Sequence, residues 1–559
     1  MFKHLKQFLA AVLAVSFLTG CAQIPTNGLI KTGQDLQPAL ESDFLYYSPT
    51  GPVEDATKYE ILAGFLNAGT GPQNDYSTAR EFLSEDLRAN WKPSQRTLIQ
   101  AGSRLLTVNS DNSASASISV SAQIGDQGEF ESLPANSTEY LNFKFIKEDG
   151  QWRISSAPNL TVVIEPVFEV IFRSYSVYFY DNEFEYLVPD VRWFPSRAST
   201  TTRLVDALLN GPSTWLAPAV TSAIPAGTEL AVNAVTVNQG LASVDLSAAA
   251  LRATVGKRPY MEAQIRETLL PLSSVYNVQV LIEQTPQDIQ DINSLVPAIR
   301  STSPVVLVDG NLKHVDLSAS TDVIGAKPIL QQLDSTEFAL TDDEKYLLLR
   351  TSDGIYSRRF GILGAKTDRL VAGTDFLAPA IDRQNFAWAM PSAANSPVFV
   401  FDSLGKQVQF ASGWLHGLER SQFSISPEGS RAAVIAGTGA NRRLYVMSII
   451  RDQFGKPISF GLPVKPYGEI SSVTSVSWVG LTSLAILDQG IGEYTTPKIL
   501  TIGGLSRALP QVLHAKAIIG SNPVSSLFIQ TDENEFFQYR SAFWSKVSSN
   551  VLAMHFPGM

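Results

Sequence analysis

Hydrophobic positions first recur at helical spacing and then alternate between residues 43 and 165. The segment Ser115–Ile124 alternates small polar and apolar residues, which predicts a half-buried strand. Tyr140–Ile146 and Trp152–Ser155 flank the turn dipeptide Asp149-Gly150 and predict a β-hairpin. Helices followed by antiparallel strands predict an α+β domain over residues 43–165. The helical positions are Ala56, Tyr59, Ile61, Leu62, Phe65 and Leu66 in a first helix and Ala79, Phe82, Leu83 and Leu87 in a second.

Strand and helix patterns alternate over residues 172–285, which predicts an α/β domain. One helix carries the apolar stripe Leu204–Leu209 and ends at Gly211-Pro212, and a second covers Glu262–Leu270. The predicted strands are Ser176–Tyr180, Tyr186–Val188, Leu230–Val237, Leu241–Leu246 and Val278–Ile282.

Short apolar strands separated by polar turns repeat through residues 300–559. The turn markers are Thr341, Asp382, Ser426, Ser477 and Ser521, spaced by 41, 44, 51 and 44 residues. Periods of about 40–50 residues with four short strands each are typical of a β-propeller, and we expect five or six blades. Val305–Val308 and His314–Leu317 are expected to supply outer strands to a further or closing blade. A β-sandwich with accidental regularity is the alternative.

The start of the chain has the pattern of an export signal. Lys3 and Lys6 precede the apolar run Phe8–Leu18, whose eleven residues would span only about 16 Å as a helix, roughly half of a bilayer's hydrocarbon core. The run ends in Leu18-Thr19-Gly20-Cys21, which resembles the bacterial lipobox. We therefore predict a signal peptide at residues 1–20 and a lipidated, flexible linker at residues 21–42. An ordinary secretory signal with an unrelated cysteine is the alternative.

Lipidation of Cys21 would fix the protein to a membrane without a spanning helix. The thiol would carry an S-diacylglycerol group and the new amino terminus an N-acyl chain such as palmitate. One acyl chain anchors a protein only marginally, whereas two or more hold it firmly. We therefore expect the mature chain to lie on the outer face of the cell membrane.

Composition and charge exclude several classes of function. The 559 residues include 43 Lys and Arg against 53 Asp and Glu, and the formal net charge is −10. Without a basic run, nucleic-acid binding is not expected. The single cysteine excludes an internal disulfide and a multi-cysteine metal site.

Catalytic motifs are not recognisable in the exported chain. None of its four histidines, His314, His416, His514 and His555, lies two to five residues from another, as metal-ligand pairs usually do. Gly504-Leu505-Ser506-Arg507-Ala508 lacks the final glycine of a hydrolase nucleophile elbow. We expect no enzyme, no cofactor and no metal.

Family resemblances add a function to this outline. The closing strand Asp149–Ile154 resembles that of the NTF2-like fold, and residues 172–285 resemble the GerMN domain through the strings LLNGPS, IPAGTEL and VDLS in order. The turn Ser426–Gly429 resembles that of TolB-like propellers. Together with the lipobox, and with Gly64-Phe65-Leu66 in the first domain, this order resembles the LpqB lipoproteins of actinobacteria.

The LpqB resemblance implies an accessory protein of two-component signalling. Such a protein binds the extracytoplasmic part of the MtrB sensor kinase and modulates the MtrA–MtrB pathway, which governs envelope homeostasis and cell division. The alternative is a lipoprotein that captures a small molecule or a cell-wall fragment in the NTF2-like cone or in the propeller channel.

Overall fold

The first domain combines helices with one long, mainly antiparallel sheet. The structure, a computed structural model, describes residues 49–559 apart from 197–198, 290–291, 293–302, 316–319, 440–441, 467–469, 471, 491, 523–525 and 559. The sheet order is β4-β3-β2-β1-β5, with β5 parallel to β1. The helices are α1 Lys58–Ala68, α2 Ser77–Arg80 and α3 Glu85–Asn90, and the strands are β1 Arg96–Val108, β2 Ser113–Gly125, β3 Phe130–Glu148, β4 Gln151–Ser156 and β5 Thr161–Ile164.

Local sequence signals explain most of these elements. Thr57 and Glu60 form a reciprocal capping box at the start of α1. The alternating residues of β2 put Ala116, Ile118 and their apolar neighbours into the core and the serines outside. Asp149 and Gly150 both adopt positive φ (50° and 80°), as a tight hairpin turn requires. The predicted α+β class is confirmed.

The predicted second helix of this domain is instead two short helices. Leu83 forms a bridge with Ile154 of β4, which ends the helical segment after α2. Ser84 then caps α3, because its Oγ accepts the Leu87 N–H at 3.4 Å. The apolar spacing was compatible with one helix, but pairing with the sheet interrupts it.

The second domain is an α/β module with two small sheets, ordered β7-β6-β8 and β12-β11-β10-β9. Strands β10 and β11 are parallel and are joined through α6, whose buried face packs into the core with α5. Its elements are α4 Glu165–Ile171, β6 Phe172–Asp181, β7 Leu187–Pro195, α5 Thr200–Asn210, β8 Val220–Thr221, β9 Thr236–Asn238, β10 Leu241–Leu246, α6 Arg258–Leu269, β11 Asn277–Ile282 and β12 Thr285–Pro286.

The strand predicted at Leu230–Val237 is not formed as such. Only β9, Thr236–Asn238, pairs as a strand there, and Leu230 makes a single bridge with Leu246. The Val235 N–H donates to the hydroxyl of Thr202 on α5 at 3.0 Å. The backbone N–H of Val235 is therefore bonded to a helix side chain rather than to a neighbouring strand.

Six blades form the propeller in the described part of the chain, five of them four-stranded and one five-stranded. The predicted propeller is therefore confirmed, and of the expected five or six blades it has six. Blade 1 contains β13 Val305–Val308, β14 Asn311–Val315 and β15 Ser320–Asp322, and helix α7 Lys327–Leu330 follows it. The C-terminal strand β37, Val551–His555, pairs antiparallel with β13 and supplies the innermost strand of blade 1. The ends of the propeller sequence therefore close the ring.

The other five blades follow in chain order, with the first strand of each blade lining the centre. Blade 2 is β16 Ser335–Leu340, β17 Tyr346–Thr351, β18 Gly354–Arg359 and β19 Thr367–Ala372; blade 3 is β20 Ala380–Ile381, β21 Ala387–Ala389, β22 Phe399–Phe401 and β23 Gln407–Val408; blade 4 is β24 Arg420–Ile425, β25 Arg431–Ala436, β26 Arg443–Arg451 and β27 Pro457–Phe460; blade 5 is β28 Val473–Val479, β29 Ser483–Gln489, β30 Tyr494–Thr501, β31 Ser506–Ala508 and the additional β32 Val512–Leu513; blade 6 is β33 Ala515–Ile519, β34 Phe528–Thr531, β35 Phe536–Arg540 and β36 Phe543–Ser548.

The repeated turn has a hydrogen-bonding basis. Thr341 Oγ1 donates to Asp343 Oδ1 at 2.7 Å and accepts the Tyr346 N–H at 3.1 Å. Ser426 repeats this with Glu428 Oε1 at 2.5 Å and the Arg431 N–H at 3.0 Å. The turn predicted at Ser477 in blade 5 was wrong. Ser477 lies inside β28, and the turn comes at Gly480, where φ is 64°.

Candidate interaction surfaces

The β6–β7 hairpin of the second domain contacts both of its neighbours. Residues 45–559 form a single compact unit, and a shared core at the domain junction holds the first domain, the second domain and blade 5 together. We use "domain junction" for this hairpin and the groups packed against it. The shared core contains Ile99, Ala122, Ile124, Val163, Phe168, Ile171, Phe172 and Trp193, with Phe130, Val167, Val191 and Leu505 at its edge.

Trp193 on β7 is the centre of the domain junction. Its Nε1 donates to the carbonyl of Gly503 in blade 5 at 2.7 Å, and its backbone N–H donates to Gly128 of the first domain at 2.8 Å. Its ring lies 5.0 Å from Phe168 and 6.2 Å from Phe130, centroid to centroid. A Cβ on Gly504 would lie 3.0 Å from the ring, so the glycine lets the backbone of this turn pack closely against Trp193. One side chain therefore ties three domains together.

A buried ion pair lies beside Trp193. Arg192 is 1% exposed and contacts Asp190 and the first-domain residue Glu129, each at 2.7 Å. Asp190 also accepts the backbone N–H of Ser213 at 2.7 Å and its hydroxyl at 3.1 Å. The Arg192 charge is thus paired within the second domain and across the boundary with the first, as a buried charge must be.

A second buried pair joins blade 4 to the same hairpin. Arg431 and Glu428 are 1% and 0% exposed and lie 2.7 Å apart. Arg431 also donates to the carbonyls of Pro189 on β7 at 3.4 Å and of Leu481 in blade 5 at 2.6 Å, and its guanidinium lies 5.0 Å above the Trp478 ring. Blades 4 and 5 and the second domain therefore share one cation.

The tip of the β6–β7 hairpin packs on blades 3 and 4. The Tyr186 hydroxyl accepts a hydrogen bond from Arg383 at 3.1 Å, and a Cβ on Gly455 would collide with Glu183. At the end of β6, next to the turn, burial raises the pKa of Asp181 to about 6, although two hydrogen bonds from backbone N–H groups act to lower it. Burial and then the neighbouring Glu185 raise the pKa of Glu183. This contact therefore carries carboxyl groups that are poorly solvated.

Three exposed apolar side chains lie at the turns between the third and fourth strands of blades 2, 3 and 4. Leu363 is 104% exposed, Leu404 is 90% exposed and Phe454 is 78% exposed. We call these three residues the rim tips. The equivalent turn of blade 5 contains Gly503 and Gly504, which Trp193 contacts. The corresponding turns thus contact the second domain in blades 4 and 5 and expose apolar side chains in blades 2, 3 and 4.

Two of these turns have the same sequence pattern and the same hydrogen bonds. Asp402-Ser403-Leu404-Gly405-Lys406 and Asp452-Gln453-Phe454-Gly455-Lys456 both read D-x-apolar-G-K. In each turn the aspartate Oδ1 accepts the N–H groups of the apolar residue and of the lysine at 2.9–3.0 Å. Each glycine has positive φ, 80° and 73°. The exposed position is therefore built by a rigid turn rather than by a loose loop.

The propeller channel is lined by the innermost strand of each of the six blades, which is β37 in blade 1, and holds about 1,210 Å³ of space, including the space open at its mouths. Its charged or titratable lining residues among those described are Glu337, Arg350, Lys516 and His555. A smaller cleft at the domain junction, between Phe130, Trp215 and Lys465, holds about 670 Å³ on the same measure.

The predicted lipid-attachment residues lie outside the described residues. These are Cys21 and the preceding Leu18, Thr19 and Gly20, so lipidation stays a prediction. Within the described chain, no helix is long and apolar enough to cross a bilayer.

Ser506 lies on β31, an outer strand of blade 5, rather than on a strand-to-helix turn. The histidines are dispersed: His314 lies 2.9 Å from Glu344, and His514 lies 3.5 Å from Asp532. Groups of three or more His, Cys, Asp or Glu that could hold a metal ion are absent from the described part of the chain.

Sequence reasoning missed the domain junction and the rim tips. Trp193, Arg192 and Asp190 occupy a strand that reads as an ordinary buried one, so nothing local marks their partners. The rim tips had a usable signal, because the D-x-apolar-G-K pattern occurs twice, with its aspartates 50 residues apart.

Comparison with known proteins assigns most of the described chain to three family models. A model described as "Lipoprotein LpqB, N-terminal domain" matches residues 51–169, and one described as "Lipoprotein LpqB beta-propeller domain" matches residues 310–557. Between them, a model described as "Sporulation and spore germination" matches residues 176–288.

Similar proteins share this arrangement over most of their length. The Lipoprotein LpqB of Bifidobacterium longum is 26% identical over 449 residues, which are 76% of this chain and 75% of that protein. The Lipoprotein LpqB of Cutibacterium acnes is 22% identical over 522 residues, 88% of each chain. Among solved structures, the first GerMN domain of the sporulation protein GerM from Bacillus subtilis is 21% identical, with a TM-score of 0.19, and the match covers 22% of this chain and 93% of that one.

Proposed function

The chain belongs to the LpqB lipoprotein family, and from that premise we propose that it is a lipid-anchored accessory protein on the outer face of the cell membrane. In this proposal it binds the extracellular part of an MtrB-type sensor kinase. By doing so it modulates a two-component pathway of envelope homeostasis and cell division, and it acts by binding rather than by catalysis.

The observation that carries this proposal is a rigid three-domain body with exposed apolar rim tips. A lipid anchor at Cys21 would confine this body to a thin layer beside the membrane, where its effective concentration towards membrane receptors is high. The domain junction would keep the surfaces of the three domains in one fixed arrangement. Preorganised surfaces lose less conformational entropy on binding than mobile ones.

The rim tips are the surface that we assign to the partner. A few anchor residues carry most of the binding energy of a protein interface, and aromatic side chains such as Phe454 are enriched there. Leu404 and Phe454 are held by turns whose aspartates already bond the backbone, so burying their side chains does not require the turns to reorganise. The flanking Lys406 and Lys456 would belong to the polar rim of the interface.

A tether experiment tests the membrane part of the proposal. Cys21→Ala should release the intact protein from the cell envelope and abolish its effect on the pathway in a deletion strain, because the local concentration is lost. Fractionation and pathway output are measured together. If a released Cys21→Ala protein restored normal signalling, tethering would not be part of the function.

A binding experiment tests the rim tips separately. Leu404→Asp and Phe454→Asp should each weaken binding of the purified kinase extracellular domain by about tenfold or more, the effect of losing 1.4 kcal/mol or more. Val255→Asp is the matched control, because Val255 is 82% exposed but lies in the second domain, shortly before α6. Equal affinities for all three variants and the wild type would remove the rim tips from the interface.

A further inference from the structure

The channel of the propeller has an uneven distribution of charge. Its charged or titratable lining residues come from three adjacent blades: Lys516 from blade 6, His555 from blade 1, and Glu337 and Arg350 from blade 2. The facing wall, formed by blades 4 and 5, presents uncharged polar groups such as Gln422, Ser424, Thr474 and Ser477. One wall of the channel is therefore ionic and the other is neutral.

Arg350 and Glu337 form a loose pair on the ionic wall. Arg350 Nη2 lies 3.8 Å from Glu337 Oε1, and the two side chains are 29% and 32% exposed. Arg350 also donates to the Phe376 carbonyl at 3.0 Å and to the Thr336 hydroxyl at 2.9 Å. These bonds hold the guanidinium in place but leave part of it facing the channel.

The side chain of Lys516 has no hydrogen bond or ion pair with any residue that the structure describes, although it lies close enough to lower the pKa of Glu337. His555 packs edge-on against Phe338, 5.9 Å between centroids, and burial lowers its pKa to about 4. His555 is therefore neutral near pH 7. The ionic wall then carries two positive charges and one negative charge, in a chain whose formal net charge is −10.

We infer that the propeller channel is a binding site for a small organic carboxylate, whose carboxylate group pairs with Lys516 and Arg350. A net charge of +1 on the ionic wall matches one carboxylate, whereas Glu337 repels a phosphate dianion more strongly than a carboxylate monoanion. A charged group in a narrow, partly desolvated channel acts more strongly than on an open surface. The hydroxyl and amide groups of the neutral wall are placed to contact the rest of the ligand. This inference does not depend on the kinase partner.

Ligand binding to the full-length mature protein tests the site. The probes are glutamate, alanyl-alanine and succinate, with inorganic phosphate and glucose as comparison compounds, each at up to about 10 mM, well above a Kd of 1 mM. We expect at least one carboxylate to bind with one-to-one stoichiometry in calorimetry and to raise the melting temperature. Because the attraction is electrostatic, the affinity should fall as salt is added.

Variants locate the binding within the molecule. Lys516→Met should weaken carboxylate binding by about tenfold or more, as loss of a charge-assisted hydrogen bond does, whereas Lys516→Arg should largely retain it. Lys406→Met, which removes an exposed lysine at a rim tip, is the control and should not change binding.

The pH dependence supplies an independent readout. Of the groups facing the ligand, His555 stays neutral between pH 5 and 8 because burial lowers its pKa to about 4, while burial raises the pKa of Glu337. Protonation of Glu337 removes the one negative charge, so carboxylate affinity should rise as the pH falls. The inference is overturned if no carboxylate binds at about 10 mM, if phosphate binds more tightly than every carboxylate, or if Lys516→Met binds like the wild type.

Discussion

Replacement of Trp193 by alanine is the sharpest perturbation of the three-domain body. The substitution removes the hydrogen bond to Gly503 and the ring contacts with Phe168 and Phe130. Truncating a buried tryptophan costs about 3–5 kcal/mol. Since the ring is 8% exposed and touches three domains, most of that loss should fall on the contacts between domains.

The size of the unfolding unit decides what a calorimeter records. At about 2.1 cal/mol/K of unfolding entropy per residue, a loss of about 4 kcal/mol lowers Tm by about 4 °C if the described chain unfolds as one unit. If a second domain of about 120 residues unfolds alone, the same loss lowers its Tm by about 16 °C. We expect one transition in the wild type and separated transitions in Trp193→Ala.

The control is Trp91→Ala, which removes an equally large buried side chain from inside the first domain. Trp91 is 2% exposed and donates to Pro158 at 3.0 Å. This variant should be destabilised without uncoupling the second domain from the propeller, and limited proteolysis should separate these two domains only in Trp193→Ala. If Trp193→Ala keeps one transition within about 1 °C of the wild type, far less than the loss calculated above, the domain junction does not couple the domains.

Buried charges give further predictions. Burial raises the pKa of Asp181 from 3.8 to about 6, so the folded state binds more protons than the unfolded state and stability is lost as the pH rises from 3.8 to 6. Asp181→Asn should therefore be more stable than the wild type in urea at pH 7.5, by up to about 3 kcal/mol, and equally stable near pH 4. Burial lowers the pKa of His555 from 6.5 to about 4, so the contribution of the neutral imidazole to stability is full above pH 6.5 and is lost as the pH falls towards 4. Between pH 6.5 and 4, His555→Gln should therefore lose less stability than the wild type, by up to about 3 kcal/mol. An equal pH dependence of the two proteins in urea titrations would refute this. Arg431→Met leaves Glu428 buried and unpaired and should cost about 3–5 kcal/mol in chemical denaturation, whereas Glu428→Gln combined with Arg431→Met should cost less than the sum of the two single losses.

Local patterns predicted the elements whose partners are close in sequence. The Asp149-Gly150 hairpin and the alternation of β2 are examples, because turn geometry and two-residue periodicity act over a few residues. The repeat predicted the propeller, since each blade is one unit of about 40–50 residues. It did not give the blade number, because closure depends on pairing β13 with β37 at the opposite end of the propeller sequence.

Contacts between distant segments were not predictable in this way. The prediction of one continuous second helix was wrong at Leu83, because this residue pairs with Ile154, some 70 residues later in the chain. Trp193 and Gly503 are separated by 310 residues, and neither carries a local signal of the other. Lys516, Arg350 and His555 come together only because the propeller closes into a ring. The candidate channel site therefore follows from topology rather than from a motif.

Cross-linking in intact cells tests the proposed binding to the sensor kinase most directly. A photoreactive amino acid would replace Leu404 at a rim tip, and Val255 of the second domain would be replaced by the same group as a control. Capture of the MtrB-type kinase through its extracellular part from position 404, and not from position 255, is the expected result. If the kinase is absent from the products at Leu404 while the variant still supports normal pathway output, the proposed rim-tip interface with the kinase is contradicted.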